Sequence, residues 1–249
     1  MPSSMRNRWP ALILALILAA TFTALAAACS GDDDDDDDGP TPSTTAEDGA
    51  GDGPRSEHGQ LIARAELPLG LADGTSIGRA DAPVVIEAFE DFGCPHCLHF
   101  TATTEPRVME DYVARGKVRL VYRYFPLQQA TANAAIAAQC AAEQDRFWEY
   151  HKELFIAQAE AANGTGPALA AAFAPAGLRD LAGRLGLDTT AFEACLLGDS
   201  AVAKVTEDYR AGQNLGLRGT PSFVVNGQVL TGNPEKYEDW KQLLDGLIK

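Results

Sequence analysis

The sequence predicts an α/β fold interrupted by an all-helical insertion. Three observations carry that prediction. A buried-strand run, Val84 to Phe89, leads at once into Cys94-Pro95-His96-Cys97 and a helical segment. From Gln128 to about Gln213 the pattern is helical throughout. The end returns to β, with two short runs flanking Asn226-Gly227, a two-residue hairpin signal.

The elements follow in order. Gln60 to Glu66 reads as a short strand, and Gly70 to Pro83 as a loop with a turn at Asp73-Gly74. Val84 to Phe89 is apolar and β-branched. Pro95 fits a first helical turn, where its missing N–H costs nothing. That helix is predicted to run to about Arg115, bent at Pro106 and ended by Gly116. Lys117 to Phe125 alternates as a strand and stops at Pro126, giving β-β-α-β. Ala130 to Gln144 is an Ala-rich helix. Arg146 to Ala157 carries Phe147, Trp148, Tyr150, Leu154 and Phe155 at helical spacings. Leu178 to Leu185, Thr190 to Leu196 with Asp188 as cap, and Asp199 to Leu215 complete the block. Ser222 to Asn226 and Gln228 to Thr231 form the hairpin. Pro234 opens a last helix with Tyr237, Trp240, Leu244 and Leu247 on one side. His151, Trp148 and Phe155 read as packed core residues.

The 249 residues are 46% apolar, enough for a proper core. The formal charge of −15 is unevenly spread: residues 1–57 hold 11 acids and 3 bases. No basic cluster exists, which argues against nucleic acid as a partner. Arg6 and Arg8 precede an uncharged Ala- and Leu-rich run from Ala11 to Ala28, an export signal or membrane anchor over residues 1–28. It ends in Leu25-Ala26-Ala27-Ala28-Cys29. Two readings compete: acylation of Cys29 as a lipoprotein, or cleavage after Ala28 or an uncleaved anchor, since 18 apolar residues just span a bilayer. Either places the remainder outside the cytoplasm, where disulfides persist. Residues 29–59, with seven consecutive aspartates from Asp32 to Asp38, read as a disordered Asp-rich linker.

Two thiols spaced C-x-x-C at a helix start suit disulfide exchange. Cys94 at the start faces free N–H groups and the positive end of the helix, and Cys97 lies one turn in. His96 adds a positive or hydrogen-bonding group beside Cys94. Cys94, His96, Cys97 and His99 were they metal ligands would need a second ligand pair, and none is evident, so no metal is expected.

Taken together, Phe89-Glu90-Asp91-Phe92-Gly93-Cys94-Pro95-His96-Cys97, Gln139-Cys140-Ala141-Ala142-Glu143-Gln144 with Phe147-Trp148, and Gly219-Thr220-Pro221-Ser222-Phe223 before a hairpin resemble the DsbA-like branch of thioredoxin-fold proteins, in its exported, membrane-tethered form. The resemblance covers residues 60–249. It implies a thioredoxin fold with an inserted all-helical domain: thioredoxin-like parts at 60–127 and 214–249 and a helical insertion at 128–213. It implies a protein-disulfide oxidoreductase of the cell envelope with Cys94 as exposed nucleophile, Cys97 as resolving thiol, Pro95 and His96 between them, and Thr220-Pro221 as a cis-proline loop lining the substrate site. It implies no cofactor, reduced exported proteins as substrates, and a quinone-linked membrane reoxidase as partner; with no dimerisation segment evident, a monomer is expected. A reductase or isomerase of the same fold, and a non-catalytic client-binding module, are the competing functions. Cys140 and Cys195, each within a helix of the block, are expected to be joined in an oxidising compartment.

One position departs from the family. An acidic residue usually lies six positions before the first active-site cysteine, and here that position is Ala88. Glu87, one earlier, points to the opposite strand face. Glu90 is the substitute candidate.

Overall fold

The computed structural model describes residues 55–248; the expected export signal, Cys29 and the aspartate run lie outside them. The first element is a helix, α1 (Glu57–Arg64), and not the strand expected at Gln60 to Glu66. Ser56 caps it, its hydroxyl accepting the Gly59 N–H at 3.1 Å. Ile62 is buried while its neighbour Leu61 is exposed, and α1 packs along α5 (Phe147–Asn163). A seven-residue stretch is too short for its pattern to separate strand from helix; the cap decides it.

The expected loop holds a tight turn, Leu69–Leu71, and a small hairpin, β1 (Ala72–Asp73) and β2 (Ser76–Ile77). Gly74 sits at its tip with φ of +55°. The central strands are β3 (Val84–Glu90), β4 (Val118–Tyr124) and β5 (Ser222–Val225), with β6 (Gln228–Val229) closing the terminal hairpin. The six strands run in the order β1-β2-β4-β3-β5-β6, with β3 parallel to β4 and antiparallel to β5.

The helix after the two cysteines is made of pieces. α2 (Pro95–Thr103) gives way at Thr104 to α3 (Glu105–Val108) and then to a wider π turn over Met109–Val113. The break lies just ahead of Pro106, which lacks the N–H that would continue the ladder. Between β4 and β5 come α4 (Gln129–Ala142), α5, α6 (Leu169–Ala172), α7 (Pro175–Arg184), α8 (Thr189–Leu196) and α9 (Ser200–Asn214). Asp188 caps α8, accepting the Thr190 and Ala191 N–H groups. Cys140 of α4 and Cys195 of α8 are joined by a disulfide that closes a separation of 55 residues. The last helix, α10 (Tyr237–Leu247), starts three residues later than Pro234 suggests. Tyr237, Trp240 and Leu244 are buried on it, but Leu247 is 41% exposed and does not belong to that face.

Register assigns side chains to faces. Ile86, Ala88 and Glu90 of β3 share one face with Leu120, Tyr122 and Tyr124 of β4. Phe92, His151 and Phe147 close over Tyr122 there, with Phe155 packed on Phe92, and Phe100 and Trp240 close over Phe223. Burial drives the His151 imidazole down to about 3, so it is a neutral core residue. On the other face, α9 lies so close that a Cβ at Gly212 would come within 2.7 Å of the Phe125 ring.

Candidate active site

The site forms where β3 ends and α2 begins. Cys94 is the N-cap of α2, with extended φ and ψ of −80° and 122°, and Pro95 occupies the first turn. Cys94 is half-buried, Cys97 fully buried, and both are free thiols. His96 is exposed on the first turn.

Asp91, a buried residue that the sequence reading did not single out, fixes the loop before Cys94. Its Oδ1 accepts the Gly93 N–H at 2.7 Å. Its Oδ2 accepts the Leu127 N–H at 2.6 Å and the Thr131 hydroxyl at 3.1 Å. One carboxylate therefore pins the loop to the first turn of α4. Gly93 completes the fit: a Cβ there would stand 2.5 Å from Thr131 Cγ2.

The second wall is Thr220-Pro221, joined by a cis peptide bond. The Cys94 thiol donates to the Thr220 carbonyl at 3.2 Å, across 126 residues of sequence. Asn233 donates to the Pro221 carbonyl and holds that turn. A groove of about 470 Å³ runs beside the dithiol, lined by His96, His99, Phe100, Thr220, Pro221 and Glu235 among others. The structure thus brings Cys94, Pro95, His96, Cys97, Thr220 and Pro221 together. Cys140 and Cys195 lie in the helical block, bonded to each other.

The two thiols are driven apart electrostatically. Cys94 falls from 9.0 to about 5: the Cys97 thiol donates to its charged form, and the Thr220 side chain and the backbone N–H groups of Cys97 and His96 add to this. Partial burial opposes the shift. The contribution of His96 is thus its backbone N–H. Cys97 is pushed well up, first by burial, then by its hydrogen bond to Cys94 and the Glu90 and Cys94 charges.

Beneath Cys97 lies Glu90, 1% exposed. It stands two residues on from Ala88, and a strand's period of two puts both on the same face. Glu87 points the other way, into an ion pair with Arg123 at 2.6 Å. Burial raises the Glu90 carboxyl well above the usual range, and the charges of Glu105 and Cys94 raise it further. The Cys97 thiol is near enough to favour its ionised form, yet neither Glu90 oxygen meets a partner in hydrogen-bond geometry. Glu105, 3% exposed, was also not singled out by the sequence reading; burial raises it to about 8. The available signal was its spacing, eight residues after Cys97 on the same helix face. Among the described residues no group of three His, Cys, Asp or Glu side chains is arranged to hold a metal ion.

A thiolate at neutral pH beside a protonated, buried thiol is the arrangement that attacks and resolves disulfides. The comparisons with known proteins agree with that chemistry. The family model described as Thioredoxin matches residues 72–246. A probable disulfide bond formation protein D of Bacillus anthracis is 30% identical over 180 residues, covering 70% of this chain and 78% of that protein. A Na(+)/H(+) antiporter NhaA 3 of Salinispora tropica is 35% identical over 154 residues, 61% of this chain, and the chain spans only 21% of that relative's length. The crystal structure of BdbD from Bacillus subtilis (oxidised) superposes with a TM-score of 0.60 at 23% identity, covering 71% of this chain and 93% of that one, a likeness of fold. The chain belongs to the thioredoxin family, in its DsbA-like branch of thiol–disulfide oxidoreductases.

Proposed function

We propose that this protein acts outside the cytoplasm as an oxidase, donating the Cys94–Cys97 disulfide to reduced exported proteins. The observation that carries the reading is the split between the thiols: Cys94 lowered to about 5 and Cys97 raised. A stable Cys94 thiolate favours the reduced pair, which makes the disulfide a strong oxidant.

The steps balance as follows. A substrate thiolate attacks Cys94 Sγ; the Cys94–Cys97 bond breaks and a mixed disulfide forms. Cys97 leaves and takes a proton, because burial beside Glu90 makes its charged form costly. A second substrate thiolate attacks the substrate sulfur bound to Cys94. The substrate disulfide forms, and Cys94 departs as a thiolate held by Thr220 and the helix N–H groups. Two electrons pass from substrate to enzyme. Of the two protons the substrate thiols lose, one ends on Cys97 and one in solvent. The groove beside Thr220-Pro221 would take an extended client segment.

The family resemblance supports a quinone-linked membrane reoxidase as the oxidant that restores the disulfide. Tethering through acylated Cys29, or through the apolar run before it, rests on the sequence; mass analysis of the mature N-terminus decides between them. We propose a monomer, which sedimentation of the folded part tests.

The purified domain should oxidise a reduced, unfolded protein, and Cys94→Ser should abolish this. Titration against glutathione should place the couple well above the thioredoxin potential of about −270 mV. A value at or below that figure overturns the oxidase direction in favour of reduction.

A further inference from the structure

A polar stripe runs down the buried side of the helix that carries the dithiol. Cys97, Thr101 and Glu105 stand four residues apart in succession, which places them on one helix face. All three are buried, at 0%, 3% and 3% exposure, and the stripe continues across the break between α2 and α3. Glu90 approaches the same side from β3.

Four oxygens in this region have no hydrogen-bond partner among the described residues: both carboxylate oxygens of Glu90, the Thr101 hydroxyl and Glu105 Oε1. Leaving one such group unpaired costs about 1–3 kcal/mol, and a buried carboxylate more. A fold that carries several together, directly under a reactive sulfur, has a use for them. The surroundings define that use. The groups acting on Glu90 are Glu105, Cys94 and Cys97, and none of them is a cation. Tyr122 of β4 also lies within the field of Glu90, Asp91 and Cys97, and its own hydroxyl is unpartnered. Tyr124 lies beside Tyr122. Asp91 is spent on Gly93, Leu127 and Thr131, and His151, packed on Tyr122, is neutral. The Glu105 charge acts on Glu90 with no cation to offset it, so ionising both together is disfavoured.

We propose that Glu105 is the proton reservoir for Glu90, and that the two carboxyls, with the Thr101 hydroxyl between Cys97 and Glu105 along the stripe, form a relay that hands a proton to Cys97 when its sulfur leaves the disulfide and takes it back when Cys97 attacks. Glu90 gives its proton to the departing Cys97 thiolate, and Glu105 refills Glu90. On reoxidation the proton retraces the path as Cys97 attacks Cys94 Sγ and the oxidant's sulfur leaves with the electron pair. Glu90 is the carboxyl on which Cys97 acts directly; Glu105 acts through Glu90 and is a positioning residue. Burial leaves Glu105 able to exchange its proton near neutral pH, since its carboxyl titrates at about 8.

This rests on a redox-active Cys94–Cys97 pair and not on the direction in which it passes electrons. A redox titration reads the pair either way, so failure here leaves the oxidase assignment standing, and failure there leaves this relay standing. The experiment is the pH profile of the reduction potential for the full chain and for Glu105→Gln, Glu90→Gln and Thr101→Val. The unsubstituted protein should show an inflection near pH 8 that is lost in both Gln variants, while the Cys94 inflection near pH 5 remains. Thr101→Val should keep the inflection and slow Cys97 release in stopped flow several-fold. A Glu105→Gln profile that superimposes on the unsubstituted one overturns the proposal. Should the Gln variants not fold, isotope-labelled glutamate in the unsubstituted protein answers the same question. Two carboxyl resonances with raised, mutually dependent titrations, both shifting when the disulfide is reduced, support the relay; a single responding carboxyl overturns it.

Discussion

Glu87 and Glu90 lie three residues apart on one strand, on opposite faces of the sheet, and meet opposite environments. Glu87 is paired with Arg123 at 2.6 Å. Arg123 also holds Asp208 of α9 at 2.9 Å, and Asp208, 0% exposed, takes a second cation from Lys204 at 2.6 Å. Every buried charge there has a partner, and the network fastens α9 to the sheet. The groups acting on Glu90 are another acid and two thiols, none of them a cation. The difference teaches how to separate buried acids that hold a fold from buried acids that do chemistry. A carboxylate matched by a cation joins elements of the fold, whereas an unmatched buried carboxyl keeps a proton that can move.

The comparison can be broken or sharpened at four points. The largest effect is expected from Arg123→Ala, which leaves Asp208 with Lys204 as its cation and removes the ion-pair partner of Glu87; the loss should approach that of a broken buried pair, about 3–5 kcal/mol. Urea unfolding should register this while the Cys94–Cys97 potential stays put, and a shifted potential would show that the two faces are not independent. Next comes Glu105→Gln, with the opposite sign. The folded carboxyl at about 8 lies above its ordinary 4.5, so the group is protonated in the fold when the unfolded chain has already ionised. Its penalty is absent below pH 4.5, grows as pH rises, and levels off near pH 8. The variant should therefore match the parent at pH 4 and exceed it by about 3 kcal/mol at pH 7, each unit being worth about 1.4 kcal/mol. Equal gains at both pH values would mean that packing, not charge, is responsible.

Cys94 behaves the other way. Its folded value of about 5 lies below 9.0, so it stabilises the reduced fold fully above pH 9 and loses that contribution as pH falls through 5. Thermal melts of the reduced protein should gain between these limits relative to Cys94→Ser, by an amount that solvent screening keeps below that of Glu105. The smallest effect belongs to Glu87→Gln. Glu87 is about a quarter exposed, and such a pair is worth roughly 0.2–1 kcal/mol. A larger loss would place it among the network's anchors.

Much of this was legible in the sequence, and the reason is locality. Cys94, Cys97, the strand before them, and Thr220-Pro221 sit in short motifs whose chemistry depends on immediate neighbours. Even the Ala88 departure pointed correctly to strand faces, because a period of two needs no tertiary information. Asp91 and Glu105 were not found. Asp91 acts through Leu127 and Thr131, some forty residues away, and nothing local announces that pairing. Glu105 follows a helix break at Thr104, where an acidic residue ordinarily faces solvent and favours a helix start. Its burial is set by the sheet against which the helix is pressed. The first helix was misread for the converse reason: its pattern was local but too brief to choose a period.

The Asp91 clamp bears on how this protein can be taken apart. A chain in which β4 is spliced directly to β5 would still contain every cysteine of the dithiol and the proline opposite. It would lack Leu127 N–H and Thr131, so a buried carboxylate would lose two of its three donors, and Gly93 would lose the surface it was shaped to meet. The helical block is therefore not a cassette that can be removed or exchanged with the loop left intact. Grafts between relatives should carry residues 91–93 and 127–131 as one unit, even though they are distant in the chain.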